Sequence, residues 1–143
     1  MQKINGVQRN KYQDGQNLVE FAIGLVFLLI IAFGVMDLAR VFHSIVVVTN
    51  ASREGARYYT RNPEIVVGQA GAEAAALTEA QNAGIGLDPD QISASCTDDD
   101  GNGWCDSGEP AVVTVNHTFS TIFGNFFAAS PLLISRTTQM MVP

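Results

Sequence analysis

Residues 15–40 read GQNLVEFAIGLVFLLIIAFGVMDLAR, and this stretch decides the fold. Between Phe21 and Met36 it has no charged residue and no proline, and with its apolar flanks it reaches 22 residues. A helix of that length spans roughly 33 Å at about 1.5 Å per residue, enough to cross a hydrocarbon core of about 30 Å. A buried helix of a globular domain normally keeps a polar stripe, and this segment has none. It is therefore predicted to lie in a membrane.

The charges around the segment predict its orientation. Three basic residues (Lys3, Arg9, Lys11) and one acidic residue (Asp14) precede it. Because basic residues stay on the cytoplasmic side, we expect the N-terminus inside an inner (cytoplasmic) membrane and everything after Arg40 outside.

Composition limits the other possibilities. The 143 residues allow one ordinary domain plus an appendage. A hydrophobic fraction of 47% with only 15% charged residues disfavours a disordered tail. A net charge of −6 argues against a nucleic-acid partner, since sequence-independent binding needs basic patches.

A cleaved secretory signal is the first alternative, because Ala32-Phe33-Gly34 imitates a small-residue cleavage site. The apolar run is longer than the 7–15 residues or so of a signal peptide, and Glu20 interrupts its first turn. A charge at the centre of a membrane helix costs about 2.5–3.5 kcal/mol, and less near an end. Glu20 therefore needs a partner.

The residues around Glu20 suggest that partner. Gly15 is followed by Gln16 and then by Glu20, just before the apolar run. This resembles the cleavage site of type IV pilins, where a prepilin peptidase cuts after glycine and glutamate becomes the fifth mature residue. The resemblance implies a cytoplasmic leader at 1–15, a new N-terminus at Gln16, and an assembly role for Glu20. A neighbouring subunit's α-amine can neutralise a buried carboxylate.

Three segments narrow the resemblance: VEFA at 19–22, FGVMDLAR at 33–40 and NASREGARY at 50–58. Together they are similar to TadE-like proteins, pilin-like subunits of tight-adherence (Tad) pilus systems. The resemblance implies a pilin or pseudopilin, the chain's length favouring the latter. Its expected partners are further copies or other pilins, a prepilin peptidase and the membrane. Its final location would be an extracellular pilus used for surface adhesion.

Beyond the apolar segment the pattern becomes amphipathic. Apolar residues from Leu38 to Val48 recur every three or four positions, the helical period. Asn62-Pro63 ends the helix, because a residue before proline is pushed out of the α region. One helix is predicted over 16–61, with a membrane or filament-core half at 18–39 and an amphipathic half at 40–61. Two ion pairs between residues one helical turn apart are expected, Asp37 with Arg40 and Glu54 with Arg57. For Arg53 and Arg57 two interpretations stay open: a solvated helix face, or pairing between subunits.

Residues 63–143 are predicted to form a globular head. Pro63 fits the first position of a second helix that continues through 69–83 and ends at Gly84. A turn is expected at 88–90, strands at 91–96, 111–119 and 132–142, and a turn or short helix at 122–127. The predicted fold class is α+β: a long N-terminal transmembrane and amphipathic helix with a small antiparallel-sheet head, as in pilins.

Residues 96–109, CTDDDGNGWCDSGE, contain the most specific short motif. Counting from Asp98, the residues fulfil D-x-[DN]-x-[DN]-G-x5-E, the EF-hand calcium loop. The predicted ligands are the side chains of Asp98, Asp100, Asn102, Asp106 and Glu109 and the carbonyl of Trp104. Strand-like flanks replace the two helices of an EF-hand, and a solvated acidic loop remains the alternative to a structural calcium site.

Cys96 and Cys105 bracket this loop, and they lie on the side of the membrane where oxidation is permitted. Two cysteines without suitably spaced histidines are too few ligands for structural zinc. A disulfide that closes the loop is therefore predicted.

No enzymatic motif stands out. The two histidines, His43 and His117, are far apart in sequence, and no nucleophile elbow or phosphate-binding loop is present. We expect no catalytic activity. Two other functions stay open: a single-pass anchored protein that presents a calcium-stabilised binding head without polymerising, and a secreted calcium-binding module.

Overall fold

The structure is a computed structural model that describes residues 11–122, 124 and 131–143. Its elements follow in the order α1 (Lys11–Arg61), α2 (Ile65–Asn82), a 3-10 turn (Pro89–Gln91), β1 (Ile92–Cys96), β2 (Pro110–Phe119) and β3 (Leu132–Met141). The α+β class, with its long N-terminal helix and small antiparallel sheet, is as predicted.

The chain divides into two compact units at the Met36–Asp37 bond. The first contains the apolar part of α1, whose large hydrophobic side chains are exposed; Phe21 is 71% exposed. The helix over Gly15–Arg61 is long and apolar enough to cross a membrane, with a mean hydropathy of 2.7 in its most apolar window and none of that window buried. The exposed apolar side chains of this helix are not buried by any other part of the first unit that the structure describes.

The second unit is built on a three-stranded antiparallel sheet in the order β1-β2-β3. In the central strand, Val113 pairs with Ala94 of β1 and with Thr138 of β3. Alternate residues of β2 are buried, which is the pattern of a sheet covered on one face. The rest of α1 lies against this face, where the Ser52 and Thr138 hydroxyls are 2.7 Å apart.

Small residues let α1 and α2 approach closely. A Cβ built on Gly55 would lie 2.9 Å from the Ala72 carbonyl oxygen and 3.1 Å from Cγ1 of Val113. A Cβ on Gly71 would overlap the ring of Tyr58. The buried side of α2 consists of small residues four positions apart: Gly68, Ala72, Ala76 and Ala80. Glycine at position 55 of the REGAR segment is therefore a packing requirement.

Asp37 is buried where the second unit begins. Its Oδ1 accepts a hydrogen bond from the Ile122 N–H at 3.0 Å and lies 3.3 Å from Nη1 of Arg40. The Arg40 guanidinium in turn lies 5.1 Å from the ring centroid of Phe119. The predicted Asp37–Arg40 ion pair is present, and its carboxylate also fastens α1 to the segment after β2.

The start of α2 corrects one prediction. Pro63 does not open the helix: Glu64 has an extended backbone with φ −62° and ψ 121°, and the first helical residue is Ile65. The Pro63 carbonyl accepts the N–H of Cys105 at 2.7 Å, and Glu64 forms an isolated antiparallel bridge with Trp104. These contacts hold the segment extended.

Other boundaries differ by a few residues. α1 begins at Lys11, earlier than the predicted 16, α2 ends at Asn82, one residue before the predicted 83, and the turn at 88–90 is a 3-10 turn over 89–91. Only positions 122 and 124 of the turn or short helix predicted at 122–127 are described; the rest lies outside the described residues.

Candidate functional site

The acidic loop joins β1 to β2 and is fastened at two places. Cys96 and Cys105 form the predicted disulfide, with their Cα atoms 6.0 Å apart. The backbone of the loop also pairs with the start of α2, since the Ile65 N–H donates to the Gly103 carbonyl at 3.1 Å. The loop is thus tied both to the sheet and to the helices.

Asp98 organises the first half of the loop. Its Oδ1 accepts the N–H groups of Gly101 at 2.7 Å and Asn102 at 3.2 Å, and its Oδ2 accepts that of Gly103 at 3.0 Å. Both glycines have positive φ, 74° and 83°, a conformation that other residues rarely adopt. The backbone hydrogen bonds, that of Gly103 foremost, lower the pKa of the Asp98 carboxyl below its ordinary value. They therefore favour the carboxylate.

Asn102 connects the middle of the loop. Its Nδ2 donates to Oδ2 of Asp100 and to Oδ2 of Asp106, both at 2.9 Å. Its Oδ1 accepts the Trp104 N–H at 2.7 Å. One amide therefore holds two carboxylates on the same side of the loop.

Glu109 closes the loop from its far end. Its Oε1 accepts the Asp99 N–H at 3.3 Å, and its Oε2 accepts the Asp106 N–H at 2.7 Å. All five predicted side-chain ligands thus take part in hydrogen bonds within this one loop. Because the bridge to Glu64 uses the Gly103 carbonyl and the Cys105 N–H, the Trp104 carbonyl accepts no hydrogen bond from the described part of the chain.

The donor set decides which metal the loop could hold. Among the described residues, one group of three His, Cys, Asp or Glu brings its ligand atoms within 4.8 Å of one another: Cys96, Cys105 and Glu109. The two sulfurs are bonded to each other, so neither is a thiolate, and this is not a zinc site. What remains is a set of carboxylate, amide and carbonyl oxygens, the ligands of a hard cation such as calcium.

The N-terminal motif is accessible on α1. Gly15, Gln16 and Glu20 are all exposed, and Gln16 and Glu20 lie one turn apart on the same side of the helix. Nothing in the described ranges forms an ion pair with Glu20. The carboxylate that the sequence singled out is therefore open to a partner from another chain.

Further along α1, Arg53, Arg57 and Arg61 are exposed and recur every four residues. The predicted pair of Arg57 with Glu54 is present but loose, with Nη1 and Oε2 3.9 Å apart. Neither Arg53 nor Arg61 has an ion-pair partner within the described residues.

The histidines do not form a site. His43 is exposed on α1, and His117 lies partly buried on β2, where desolvation lowers its pKa.

The contact between Asp37 and Ile122 was not predicted from the sequence. The one feature that could have indicated it is the charged residue Asp37 at the end of the apolar run.

A long helix with an apolar N-terminal part and a small antiparallel sheet together give the α+β, pilin-like class of fold that the sequence predicted. The sequence model of the family described as TadE-like protein matches residues 15–57. This confirms the predicted resemblance over the segment that carries Gly15, Glu20 and the REGAR motif. No curated protein and no solved structure matches the chain.

Proposed function

We propose that the chain is a structural subunit, a pilin or pseudopilin, of a Tad or type IV-like pilus that serves surface adhesion. A prepilin peptidase cuts it after Gly15, and the processed chain assembles through its N-terminal helix. The observation that carries the proposal is the family match over 15–57, which covers an apolar helical segment with an exposed Glu20 that forms no ion pair within the described residues.

The exposed apolar helix accounts for the two locations of the subunit. Before assembly, the lipid of the cytoplasmic membrane covers side chains such as Phe21 and Phe27, which are 71% and 65% exposed. In the filament the same side chains pack against helices of other copies or other pilins. In the second unit, Leu38, Phe42 and Val46 form an exposed apolar stripe on α1 that is also available for packing against other subunits.

Glu20 controls the register of assembly in this proposal. A carboxylate transferred from water into an apolar filament core is unfavourable unless it is paired. Cleavage after Gly15 creates an α-amine at Gln16, and the amine of one subunit neutralises Glu20 of its neighbour. We expect Glu20→Gln to reduce incorporation into filaments strongly while processing at Gly15 continues.

The loop at 96–109 is proposed to bind a structural calcium ion. Asp98, Asp100, Asn102, Asp106 and Glu109 would supply side-chain oxygens, and Trp104 its carbonyl. The Asn102 amide must then turn its oxygen toward the ion, releasing the two carboxylates that it now holds through Nδ2. Calcium would neutralise part of the carboxylate charge and, with the disulfide, stiffen an exposed part of the extracellular unit.

Intact mass and N-terminal sequencing of sheared cell-surface material test the proposal. A mature chain that starts at Gln16 in a filament fraction supports it. A full-length chain found only in membranes contradicts it. A start near Val35 in culture supernatant indicates instead a cleaved signal and a secreted calcium-binding module.

The second candidate is a single-pass anchored protein that never polymerises and presents a calcium-stabilised binding head. The exposed, doubly fastened loop favours it, because such a loop suits recognition as well as stability. Glu20→Gln separates the two candidates, since a non-polymerising anchor has no filament incorporation to lose.

A further inference from the structure

The charges of the second unit are segregated. Three of its five basic residues, Arg53, Arg57 and Arg61, lie along one face of α1. Five carboxylates lie in the loop at 98–109, and no basic residue occurs between Glu64 and Glu109. One molecule therefore presents a basic surface and an acidic surface at different places.

The basic surface is only weakly engaged within its own chain. Arg61 lies just before residues 63–65, whose backbone pairs with the acidic loop of the same chain. Arg53 and Arg57 lie further from those residues along α1. Arg57 makes a loose pair with Glu54, its nitrogen and oxygen 3.9 Å apart with both side chains about half exposed, and Arg53 makes no ion pair among the residues described.

The loop stays acidic whether or not it holds calcium. Four of its carboxylates belong to the proposed ligand set, and a divalent cation offsets two of their charges. Asp99 occupies the second position of the motif, which supplies no ligand, and it is exposed. It remains free to meet a cation from outside.

We propose that the acidic loop of one copy docks on the face of α1 around Arg53 and Arg57 in a second copy. A symmetric two-fold contact is made by one patch that faces its own copy, so it could pair the two surfaces only if both lay within that patch. Complementary surfaces at different places on one molecule instead give a head-to-tail contact, which propagates into a filament or closes into a ring. The inference rests on the proposed pilus function, and it names the surface through which the extracellular units meet.

Lysine placement in this sequence allows a sharp test. The chain has two lysines, Lys3 and Lys11, both within the proposed leader. Arg53→Lys or Arg57→Lys therefore gives the processed chain a single lysine and keeps the charge. A zero-length carbodiimide then joins its amine to a carboxylate in direct contact. Arg136→Lys is the matched control, because Arg136 is an exposed arginine on β3, an element that is not part of the proposed face.

The full chain is examined in sheared filaments, after each variant is shown to assemble. We expect a covalent dimer for Arg53→Lys and Arg57→Lys, joined through a peptide that contains Asp99. We expect its yield to fall about tenfold or more for Arg136→Lys. The yield should also fall as salt rises from about 0.05 to 1 M, where the Debye length shrinks to about 3 Å.

The outcomes separate this inference from the function on which it rests. Only bonds to the introduced lysine are counted, because the Gln16 α-amine can itself couple to Glu20 of a neighbour. Filaments in which that lysine forms no bond between subunits, or bonds to a carboxylate outside 98–109, overturn the docking contact and leave the pilus subunit intact. An equal yield from the Arg136→Lys control also overturns it. A chain that never enters filaments overturns both.

Discussion

Calcium should stabilise the second unit by an amount that can be worked out in advance. For a dissociation constant of about 1 mM, typical of extracellular calcium modules, 10 mM calcium adds about 1.4 kcal/mol to the free energy of unfolding. In a unit of roughly 100 residues, with an unfolding entropy of about 2.1 cal/mol/K per residue, this raises Tm by about 7 °C.

The assay has a built-in probe. Trp104 is the one tryptophan in the chain, lies 48% exposed and is a predicted ligand through its carbonyl. Thermal unfolding of the full chain in detergent, followed by its fluorescence, should show the shift with calcium and a smaller one with magnesium, which dehydrates reluctantly and demands octahedral geometry.

Two variants make the test specific. Glu109→Gln removes a proposed ligand charge and keeps one of the two oxygens that accept the backbone N–H groups of Asp99 and Asp106, and we expect it to abolish most of the calcium shift. Asp99→Asn removes the same charge from a position that supplies no ligand, and should keep the shift. Equal shifts in both variants, or none in the unaltered chain, would refute the calcium site.

Three further predictions concern stability, measured by urea unfolding of the full chain in detergent. Replacing both Cys96 and Cys105 with serine should destabilise by about 2–3 kcal/mol through the entropy of the opened loop; an unchanged midpoint would contradict this. Gly55→Val should destabilise by about 2–3 kcal/mol, because its Cβ would lie 2.9 Å from a backbone oxygen of α2, whereas Gly34→Val in the same helix meets open space and should be near neutral. His117, whose pKa is lowered by desolvation, binds its proton more readily when unfolded, so stability should fall as pH drops below about 6.5. His117→Gln should flatten that slope, and an unchanged slope would assign it to other groups.

Local spacing was enough to predict much of this molecule. The end of α1 before Pro63, the strands around 92–96 and 110–119 and the disulfide all follow from patterns within about 15 residues. The hydrogen-bonded curl of the loop around Asp98 also follows from local residues, since the motif places two glycines where positive φ is needed.

The remainder depends on partners distant in sequence. Proline at 63 indicated a helix start, but Cys105 and Trp104 hold positions 63 and 64 extended. No local pattern predicted that position 55 must be glycine. A side chain is excluded there by Ala72 and Val113, which are distant in sequence. No periodicity could have shown that Ile122 donates to Asp37, a contact between residues 85 positions apart.

The disulfide also decides how the loop behaves under tension. In the proposed adhesive filament each subunit is under tension, and force that enters a β-hairpin would ordinarily straighten the residues between its strands. The Cys96–Cys105 bond bypasses positions 97–104, so those eight residues, up to roughly 29 Å of extended chain, carry no load while the bond is intact. The proposed calcium ligands Asp98, Asp100, Asn102 and Trp104 lie in this unloaded stretch, whereas Asp106 and Glu109 lie beyond Cys105. Reduction of the disulfide would therefore lengthen the subunit under load and pull the first four ligands away from the other two.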